Sequence, residues 1–436
     1  MRGVDQTDNS TATASKRQYL AAIAASVSLG GCLQFSEADT TANKPRPTSD
    51  RPETTTESGP TPDQFEATDD PETPNETKTS SRDRTTEDST TQSQPTETPA
   101  LPPGTRWIAN AQAPFIAGPV VVDETVIATS LDRHVYAFDI ETGAEQWSVS
   151  SETKLNKGLS VLDGVAVATG FEEQLGVAVD DGTVTYRKQA GVESGIRAQV
   201  IADDAVYQCG VQGGVRALDP DTGEYQWTAP SDKPRVAIDH DGDTICVGLH
   251  PTGKHGSPPW AFAGFDAATG DRLWYVERDS DASSVNPQIA VADGTCLAYN
   301  SSNHHMRINA RTGDIHTEVT DSQIGRLYGT ANGTIVVTRG SELQGISNST
   351  ENVIWATTVG SGRYNATCFD DGTFWYLSNQ TLYKTDISTG DATTVGDLSL
   401  GGTSVDGTGV EDGLAVAGET VFVTTSDAHI RALEQP

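Results

Sequence analysis

Three short segments place a histidine two residues after a small polar side chain. They read Asp132-Arg133-His134, Ser302-Asn303-His304 and Asp427-Ala428-His429. Because neutral imidazoles are good metal ligands, such segments could form a shared rim for a ligand or a metal ion. The candidate rim residues are Asp132, His134, Ser302, His304, Asp427 and His429. The alternative is structural, since Asp, Ser and Asn also close tight hairpins that a histidine merely follows.

Other patterns with catalytic potential are weak. The chain shows no Ser-His-Asp combination, no H-E-x-x-H and no glycine pattern that would cradle a phosphate. Asp239-His240-Asp241-Gly242-Asp243 resembles a calcium loop, but it lacks the later Glu and lies where a hairpin is expected, which favours a solvated turn. We therefore predict no catalytic residue and no bound cofactor.

Four cysteines lie in strand-like runs without metal-ligand spacing. They are Cys209, Cys246, Cys296 and Cys368. We interpret them as small buried hydrophobes in separate repeats. A disulfide remains open because the predicted compartment is oxidising.

The elements that position these residues follow from a repeated phrase: a strand, then Asp, two variable residues, Thr-Gly, and a Trp four places on. The complete copies are Asp139 to Trp147, Asp219 to Trp227 and Asp266 to Trp274. Weaker copies surround Asp180, Asn309, Ser347 and Asp386, which makes seven. A period of about forty residues is the signature of a repeat architecture.

Two further strand-like segments precede each copy, so one unit is four antiparallel strands, a propeller blade. In the turn, Asp accepts hydrogen bonds from backbone amides and Gly supplies a positive φ. On the strand that follows the turn, the Trp buries its ring against the next blade. The last strand, Ile430 to Glu434, starts the phrase, and Gly104 to Trp107 completes it. The chain is thus predicted to be all-β, an eight-bladed β-propeller whose last blade is closed by the N-terminal strand. This closure makes the blades of His134 and His429 neighbours, with their loops on one face.

These repeats resemble the pyrroloquinoline-quinone (PQQ) type, whose hallmark is Ala-Leu-Asp-x-x-Thr-Gly-x-x-x-Trp. The resemblance covers residues 104–436 and implies either a quinone-dependent dehydrogenase or a non-catalytic lipoprotein scaffold. A dehydrogenase of this type implies a Ca²⁺ site, an Asp base and a flat quinone pocket built by long insertions. Here the blades leave little room for insertions, and no two cysteines are adjacent.

The first hundred residues are predicted to serve export and display. Residues 1–32 resemble a signal peptide that ends in a lipobox, Leu29-Gly30-Gly31-Cys32, with Cys32 as the lipidated residue. Its basic patch resembles a twin-arginine signal in which Lys16 replaces the first arginine. Residues 33–103 form a Thr/Ser/Pro/Glu-rich stalk that is predicted to be disordered, because it has too few apolar residues to offset the entropy of ordering. Candidate N-glycosylation sites are Asn75, Asn300, Asn332, Asn348, Asn365 and Asn379.

A formal net charge of -32 excludes several partners. Its field repels nucleic acid and anionic membrane surfaces. The acid excess also resembles that of extreme halophiles, such as halophilic archaeal surface proteins, whose dense carboxylates hold water and cations.

The sequence therefore predicts an exported, monomeric propeller that is lipid-anchored to the outer face of the cytoplasmic membrane and contacts the membrane only through that anchor. Its predicted role is a non-catalytic binding or scaffolding module that interacts with envelope proteins. The alternatives are a PQQ-dependent quinoprotein oxidoreductase and an envelope glycan-binding protein.

Overall fold

The computed structural model describes residue 101 and residues 103–435, with gaps at 190–195, 203, 211–213, 231–234, 250–259, 279–286, 301–303, 320–323, 351, 359–365, 379–380, 398–412 and 426. The described residues form 32 strands, arranged as eight antiparallel sheets of four strands each. No helix long and apolar enough to cross a membrane occurs in this part of the chain. The predicted signal segment, the predicted lipidated residue Cys32 and the predicted stalk lie outside the described residues, apart from residues 101 and 103.

Each sheet is one blade, numbered in chain order. Blade 1 contains β2 (Phe115–Val122), β3 (Thr125–Ser130), β4 (His134–Asp139) and β5 (Glu145–Ser150). Blade 2 contains β6 (Gly158–Leu162), β7 (Val165–Thr169), β8 (Glu173–Ala178) and β9 (Val184–Gln189). Blade 3 contains β10 (Ile196–Ala202), β11 (Ala205–Gly210), β12 (Val215–Leu218) and β13 (Tyr225–Ala229). Blade 4 contains β14 (Arg235–Asp241), β15 (Thr244–Leu249), β16 (Trp260–Asp266) and β17 (Arg272–Arg278).

The second half of the ring repeats this order. Blade 5 contains β18 (Gln288–Ala292), β19 (Thr295–Asn300), β20 (His304–Asn309) and β21 (Ile315–Val319). Blade 6 contains β22 (Ile324–Ala331), β23 (Thr334–Arg339), β24 (Glu342–Ser347) and β25 (Val353–Thr357). Blade 7 contains β26 (Thr367–Asp370), β27 (Thr373–Ser378), β28 (Thr381–Asp386) and β29 (Ala392–Asp397). Blade 8 contains β30 (Leu414–Ala417), β31 (Thr420–Thr424), β32 (His429–Glu434) and β1 (Thr105–Asn110).

The ring closes through blade 8, as the split phrase predicts. Strand β1 pairs antiparallel with β32, with Trp107 opposite Ala432 and Asn110 opposite His429. Strand β2 of blade 1 then packs against β30 of blade 8, so the first and last blades are neighbours. The eight-bladed fold and its closure by the N-terminal strand are confirmed.

The core lies between the blades. Eight buried apolar clusters occur, one at each blade-to-blade interface. The cluster between blades 4 and 5 contains Cys246 and Cys296, and both are fully buried. Cys209 is buried in the cluster between blades 3 and 4, and Cys368 packs against the one between blades 7 and 8. The cysteines thus contribute to packing from separate blades, as expected.

The repeated turn has the chemistry expected from its sequence. In blade 1, Asp139 Oδ1 accepts hydrogen bonds from Thr142 N at 2.8 Å and Thr142 Oγ1 at 2.6 Å. These bonds hold the pKa of Asp139 below its usual range, because they favour the carboxylate. Gly143 closes the turn at φ 71°. A Cβ added there would lie 2.5 Å from the Trp107 ring, so glycine is required for two separate reasons.

In five of the eight blades, the repeated Trp joins the blade to the next. Trp107 of blade 8 donates from Nε1 to Ile140 O in the blade 1 turn at 2.9 Å, and Trp147 of blade 1 donates to Val179 O of blade 2 at 2.7 Å. Trp227, Trp274 and Trp355 make the same bond at 2.8, 2.6 and 2.5 Å. Because each indole satisfies a carbonyl and covers a glycine of the following turn, the phrase links neighbouring blades.

The two ends of the ring differ in construction. The hairpins between first and second strands are hydrogen-bonded to the turns between third and fourth strands, for example Ile140 N to Glu124 O at 2.9 Å and Ala267 N to Asp243 O at 2.9 Å. We call this end the turn face. The connections between second and third strands lie at the opposite end with the connections between blades, which is the loop face.

Two expectations require correction. Asp239 was expected in a solvated turn, but β14 extends to Asp241, and Asp239 is buried inside it. Its carboxylate accepts Val291 N of the next blade at 2.7 Å. Among the candidate glycosylation sites, Asn300 and Asn348 are also buried, and Asn348 Nδ2 donates to Ala292 O at 2.9 Å. Neither can carry a glycan in the closed ring. Asn332 is exposed, whereas Asn75, Asn365 and Asn379 lie outside the described residues.

Candidate functional site

The structure places the predicted rim residues in three blades. His134, His304 and His429 each begin the third strand of a blade, in blades 1, 5 and 8. Blades 1 and 8 are neighbours, so the segments of Asp132 and Asp427 lie side by side on the loop face. His304 belongs to a blade on the far side of the ring, where its N–H donates to Asn300 Oδ1 at 3.1 Å. Ser302 lies outside the described residues.

Asp132 organises the loop of blade 1. Its Oδ2 accepts hydrogen bonds from Gln112 N at 3.0 Å and from Tyr136 OH at 2.9 Å, while its Oδ1 accepts one from His134 N at 3.1 Å. Burial and the hydrogen bond to Asp132 raise the pKa of Tyr136 to about 12, so the phenol stays protonated and continues to donate. This carboxylate therefore holds both its own loop and the connection that arrives from blade 8.

Asp427 has a similar role in blade 8. It accepts hydrogen bonds from Thr425 Oγ1 and from Arg431 Nη2, the latter at 3.1 Å. His429 Nδ1 lies 2.9 Å from its Oδ1. Burial acts to raise the pKa of Asp427, but these cationic and hydroxyl neighbours outweigh it and hold the pKa below its usual range. Next to it, Ala428 O accepts Ala111 N at 3.0 Å, which joins the loop to the same connection.

The two carboxylates of the predicted rim are thus engaged in holding loops. Within the described part of the chain, no three His, Cys, Asp or Glu side chains come together in a group that could hold a metal ion. The role of the six rim residues toward a ligand stays a prediction.

Sequence reasoning missed the equivalent residue of blade 2, Glu173. It lies nine residues before Gly182, just as His134 lies nine residues before Gly143. Alignment on the turn glycine would therefore have found it. Its side chain is buried and accepts Glu152 N at 2.8 Å and Thr153 N at 2.9 Å. Arg187 Nη1 forms an ion pair with its other oxygen.

Glu152 and Thr153 belong to the segment that connects blade 1 to blade 2, and blade 1 also holds this segment. Ser151 donates to Arg133 O from its backbone N at 2.7 Å and from its hydroxyl at 3.0 Å. Arg133 Nη1 in turn donates to Glu152 O at 3.2 Å. The connection from blade 1 to blade 2 is therefore fixed by groups from both blades.

This fixed connection forms one wall of a depression on the loop face. Its volume is about 370 Å³, and we call it the blade-2 depression; it is lined by Thr153, Lys154, Asn156, Lys157, Phe171 and Glu172. Lys154 is exposed, whereas Lys157 is only 8% exposed. Phe171 is 39% exposed, and it is the one phenylalanine among the exposed large apolar side chains of the described residues. The exposed Lys154 and the accessible aromatic ring can bind a polar partner that also carries apolar surface.

The ring of eight blades, its repeated turn and the indoles between blades define the class of the protein, a PQQ-like repeat β-propeller. A family model described as outer membrane protein assembly factor BamB matches residues 103–253 and again residues 177–391. Because these matches together cover more than half of the chain, the protein belongs to this family. The predicted PQQ-like repeat family is confirmed.

Two curated relatives carry the same name. The outer membrane protein assembly factor BamB of Burkholderia pseudomallei (strain K96243) is 26% identical over 187 residues, which are 38% of this chain and 46% of the relative. The protein of that name from Bordetella pertussis is 25% identical over 231 residues, 51% of this chain and 46% of the relative. The chain thus matches about half the length of each relative.

Solved structures show the same fold at low identity. The computationally designed Ika8 protein has a TM-score of 0.59 at 14% identity, and the alignment covers 74% of this chain and 97% of the Ika8 chain. BamB from Moraxella catarrhalis has a TM-score of 0.57 at 14% identity, and the alignment covers 76% of this chain and 99% of that BamB chain. Quinohemoprotein alcohol dehydrogenase from Comamonas testosteroni has a TM-score of 0.56 at 12% identity, covering 76% of each chain. A designed protein, an assembly factor and an enzyme share this ring, so the fold alone does not select a function.

Proposed function

We propose that the protein is a non-catalytic binding or scaffolding module, displayed outside the cytoplasmic membrane, that binds envelope proteins through its loop face. The observation that carries this proposal is the blade-2 depression. It presents an exposed phenylalanine and the exposed Lys154 on a backbone fixed by Glu173 and Arg133. Binding to such a prearranged surface costs little ordering entropy.

The family supports this proposal. Its two curated relatives are named as outer membrane protein assembly factors, a name that describes a role in assembly. Display would follow from the predicted lipid anchor at Cys32 and the stalk over residues 33–103, which together would hold a monomeric ring away from the membrane. The anchor, the stalk and the envelope location are part of the proposal.

Site-specific photo-crosslinking in the native host tests the surface. A photoreactive residue replaces Phe171 on the loop face or, as the control, Val184 on the outer strand β9; both side chains are 39% exposed. We expect discrete crosslinks to envelope proteins from position 171 and few or none from position 184. Equal crosslinking from both positions, or none from position 171, would refute the loop face as the binding surface.

The non-catalytic part of the proposal needs its own assay. Purified full-length protein is incubated with PQQ and Ca²⁺, a dye acceptor, and a panel of alcohols and sugars. We expect no turnover above the level without protein. Saturable turnover of any substrate would show that the protein is an oxidoreductase and would overturn the non-catalytic proposal.

A further inference from the structure

We propose that Cys246 and Cys296 form a disulfide bond that joins blade 4 to blade 5 and stabilises the ring. This modification goes beyond the proposed function, because it does not depend on which partner the loop face binds. In this structure both residues are free thiols. Three observations support the bond: the interface into which each side chain packs, the contact between the two thiols, and the positions of the other described cysteines.

The two cysteines enter one interface from opposite sides. Side chains alternate along a strand, and in β15 Ile245 packs in the cluster between blades 3 and 4 while Cys246 packs in the cluster between blades 4 and 5. In β19, Leu297 packs in the cluster between blades 5 and 6, whereas Cys296 packs in the cluster between blades 4 and 5. Both cysteines are fully buried. Two neighbouring blades therefore each direct one thiol into the same buried cluster.

The strands also place the two cysteines at the same level of this interface. Cys246 pairs with Asp239 in blade 4, and Cys296 pairs with Val291 in blade 5. Asp239 Oδ2 accepts a hydrogen bond from Val291 N at 2.7 Å, which ties these two pairs together. The thiols themselves are in hydrogen-bond contact, and this contact, followed by burial, raises the pKa of Cys246 well above its ordinary value. A disulfide requires cysteine side chains that approach each other in this way.

The other described cysteines lie at different interfaces. Cys209 packs in the cluster between blades 3 and 4, and Cys368 packs against the cluster between blades 7 and 8. Among the residues that the structure describes, Cys246 and Cys296 are therefore the one pair of cysteines that share an interface. A bond between any other two of these four cysteines would require blades to separate.

The bond forms by thiol–disulfide exchange with a low-molecular-weight disulfide. One cysteine thiolate attacks this disulfide and releases one small thiol, and the second cysteine thiolate then displaces the other small thiol. The two cysteines lose two protons and two electrons in total, and the small disulfide is reduced to two thiols.

Burial decides when this exchange takes place. Because the thiol of Cys246 keeps its proton in the closed ring, and because the thiolate is the nucleophile, exchange is slow once blades 4 and 5 have packed together. Exchange therefore proceeds during folding, while this interface is still open. The proposed display outside the cytoplasmic membrane would let folding take place where disulfides persist.

Refolding of the full-length protein in a glutathione redox buffer tests the inference. The protein is unfolded in urea with a reductant and refolded either with oxidised and reduced glutathione or with reduced glutathione alone; N-ethylmaleimide in urea then blocks the remaining thiols. Trypsin places Cys246 in residues 236–254 and Cys296 in residues 279–307. We expect mass spectrometry to find these two peptides linked after the oxidising treatment only. Near-ultraviolet circular dichroism verifies that both preparations regain the native fold.

The bond should also raise thermal stability. It closes a loop of about fifty residues, so the oxidised protein should melt at least about 4 °C above the reduced protein. In Cys246→Ala the two preparations should melt at the same temperature, because one partner of the bond is missing. Comparison of oxidised with reduced protein of the same variant removes the effect of lost packing.

Cys368→Ala is the matched control. It also removes one thiol, but from the interface between blades 7 and 8. This variant should keep both the linked peptides and the difference in melting temperature between its oxidised and reduced preparations.

Three outcomes would overturn the inference. They are the absence of linked peptides after oxidising refolding, an equal yield of bonds from either cysteine to Cys209 or Cys368, and an oxidised protein that melts no higher than the reduced one. In each case, crosslinks from position 171 but not from position 184 would still support the proposed function. Failure of the inference is therefore distinguishable from failure of that function.

Discussion

Replacing Trp107 with alanine tests how the ring is closed. Trp107 is 5% exposed, and its ring centroid lies 5.8 Å from that of Phe422 in the same blade. An aromatic side chain buries roughly 150–250 Å², which at about 25 cal/mol per Å² corresponds to about 4–6 kcal/mol as an upper estimate. Because the site can partly collapse, we expect Trp107→Ala to lower the free energy of unfolding by about 3–5 kcal/mol.

Two further variants separate the contributions. Trp107→Phe keeps an aromatic ring but removes the donor to Ile140 O, so it should cost less, about 1–2 kcal/mol. Trp147→Ala removes the equivalent indole between blades 1 and 2, where Nε1 donates to Val179 O. That indole is carried by β5, which a short turn joins to β4 of its own blade. Strand β1 has no such covalent link to β32.

The assay combines urea unfolding, followed by circular dichroism, with native-state hydrogen exchange. In Trp107→Ala, exchange should accelerate at β1 and at the β32 amides that pair with it, because only noncovalent contacts hold β1 in blade 8. In Trp147→Ala, protection of β1 and β32 should stay as in the wild type. The closure argument would be refuted if Trp107→Ala cost less than about 1 kcal/mol or left the exchange of both strands unchanged.

Three further predictions concern charge and anchoring. Burial raises the pKa of Asp239 to about 7 from its ordinary value of 3.8. Because the folded-state pKa is the higher one, the free energy of unfolding should fall as pH rises from about 4 to about 7, by at most about 1.4 kcal/mol per pH unit, and urea titrations should show a flatter profile in Asp239→Asn. Cys32→Ser should release the protein from the host membrane into the medium, which fractionation and immunoblotting would detect; unchanged retention would argue against lipidation. The net charge of -32 predicts that the melting temperature rises with KCl concentration, whereas full stability in dilute buffer would contradict the halophile-like interpretation.

The fold could be predicted from the sequence because its determinants are local and periodic. A turn glycine after Asp or Asn recurs in most blades and a Trp joins five of the eight blades to the next, so similar residues recur at the same place in successive blades. One copy of the repeat is divided between the two ends of the propeller sequence, near Ile430 and near Trp107. Because only a closed ring brings these two halves together, the division also predicts the pairing of the first and last strands.

The candidate site was less predictable because loop-face residues do not repeat. His134 and His429 share a register position, but Asp132 accepts a hydrogen bond from Gln112 in the connection between blades 8 and 1, whereas Asp427 binds Thr425 and Arg431 of its own blade. Glu173 holds the same position, but a pattern based on histidine does not find it. The blade-2 depression is bounded partly by residues 153–157, a connection with no counterpart in the repeated phrase.

The pairing of β1 with β32 has a consequence for how the protein is made. Strand β1 (Thr105–Asn110) leaves the ribosome first within the ring, and it cannot pair until β32 (His429–Glu434), the last strand, has been made. Contacts so distant in sequence slow folding, because the entropy of closing the whole loop is lost before the contacts form. During that interval β1 is an unpaired strand open to other chains, a risk that grows with protein concentration. We therefore expect aggregation during synthesis to depend on how long completion of blade 8 is delayed.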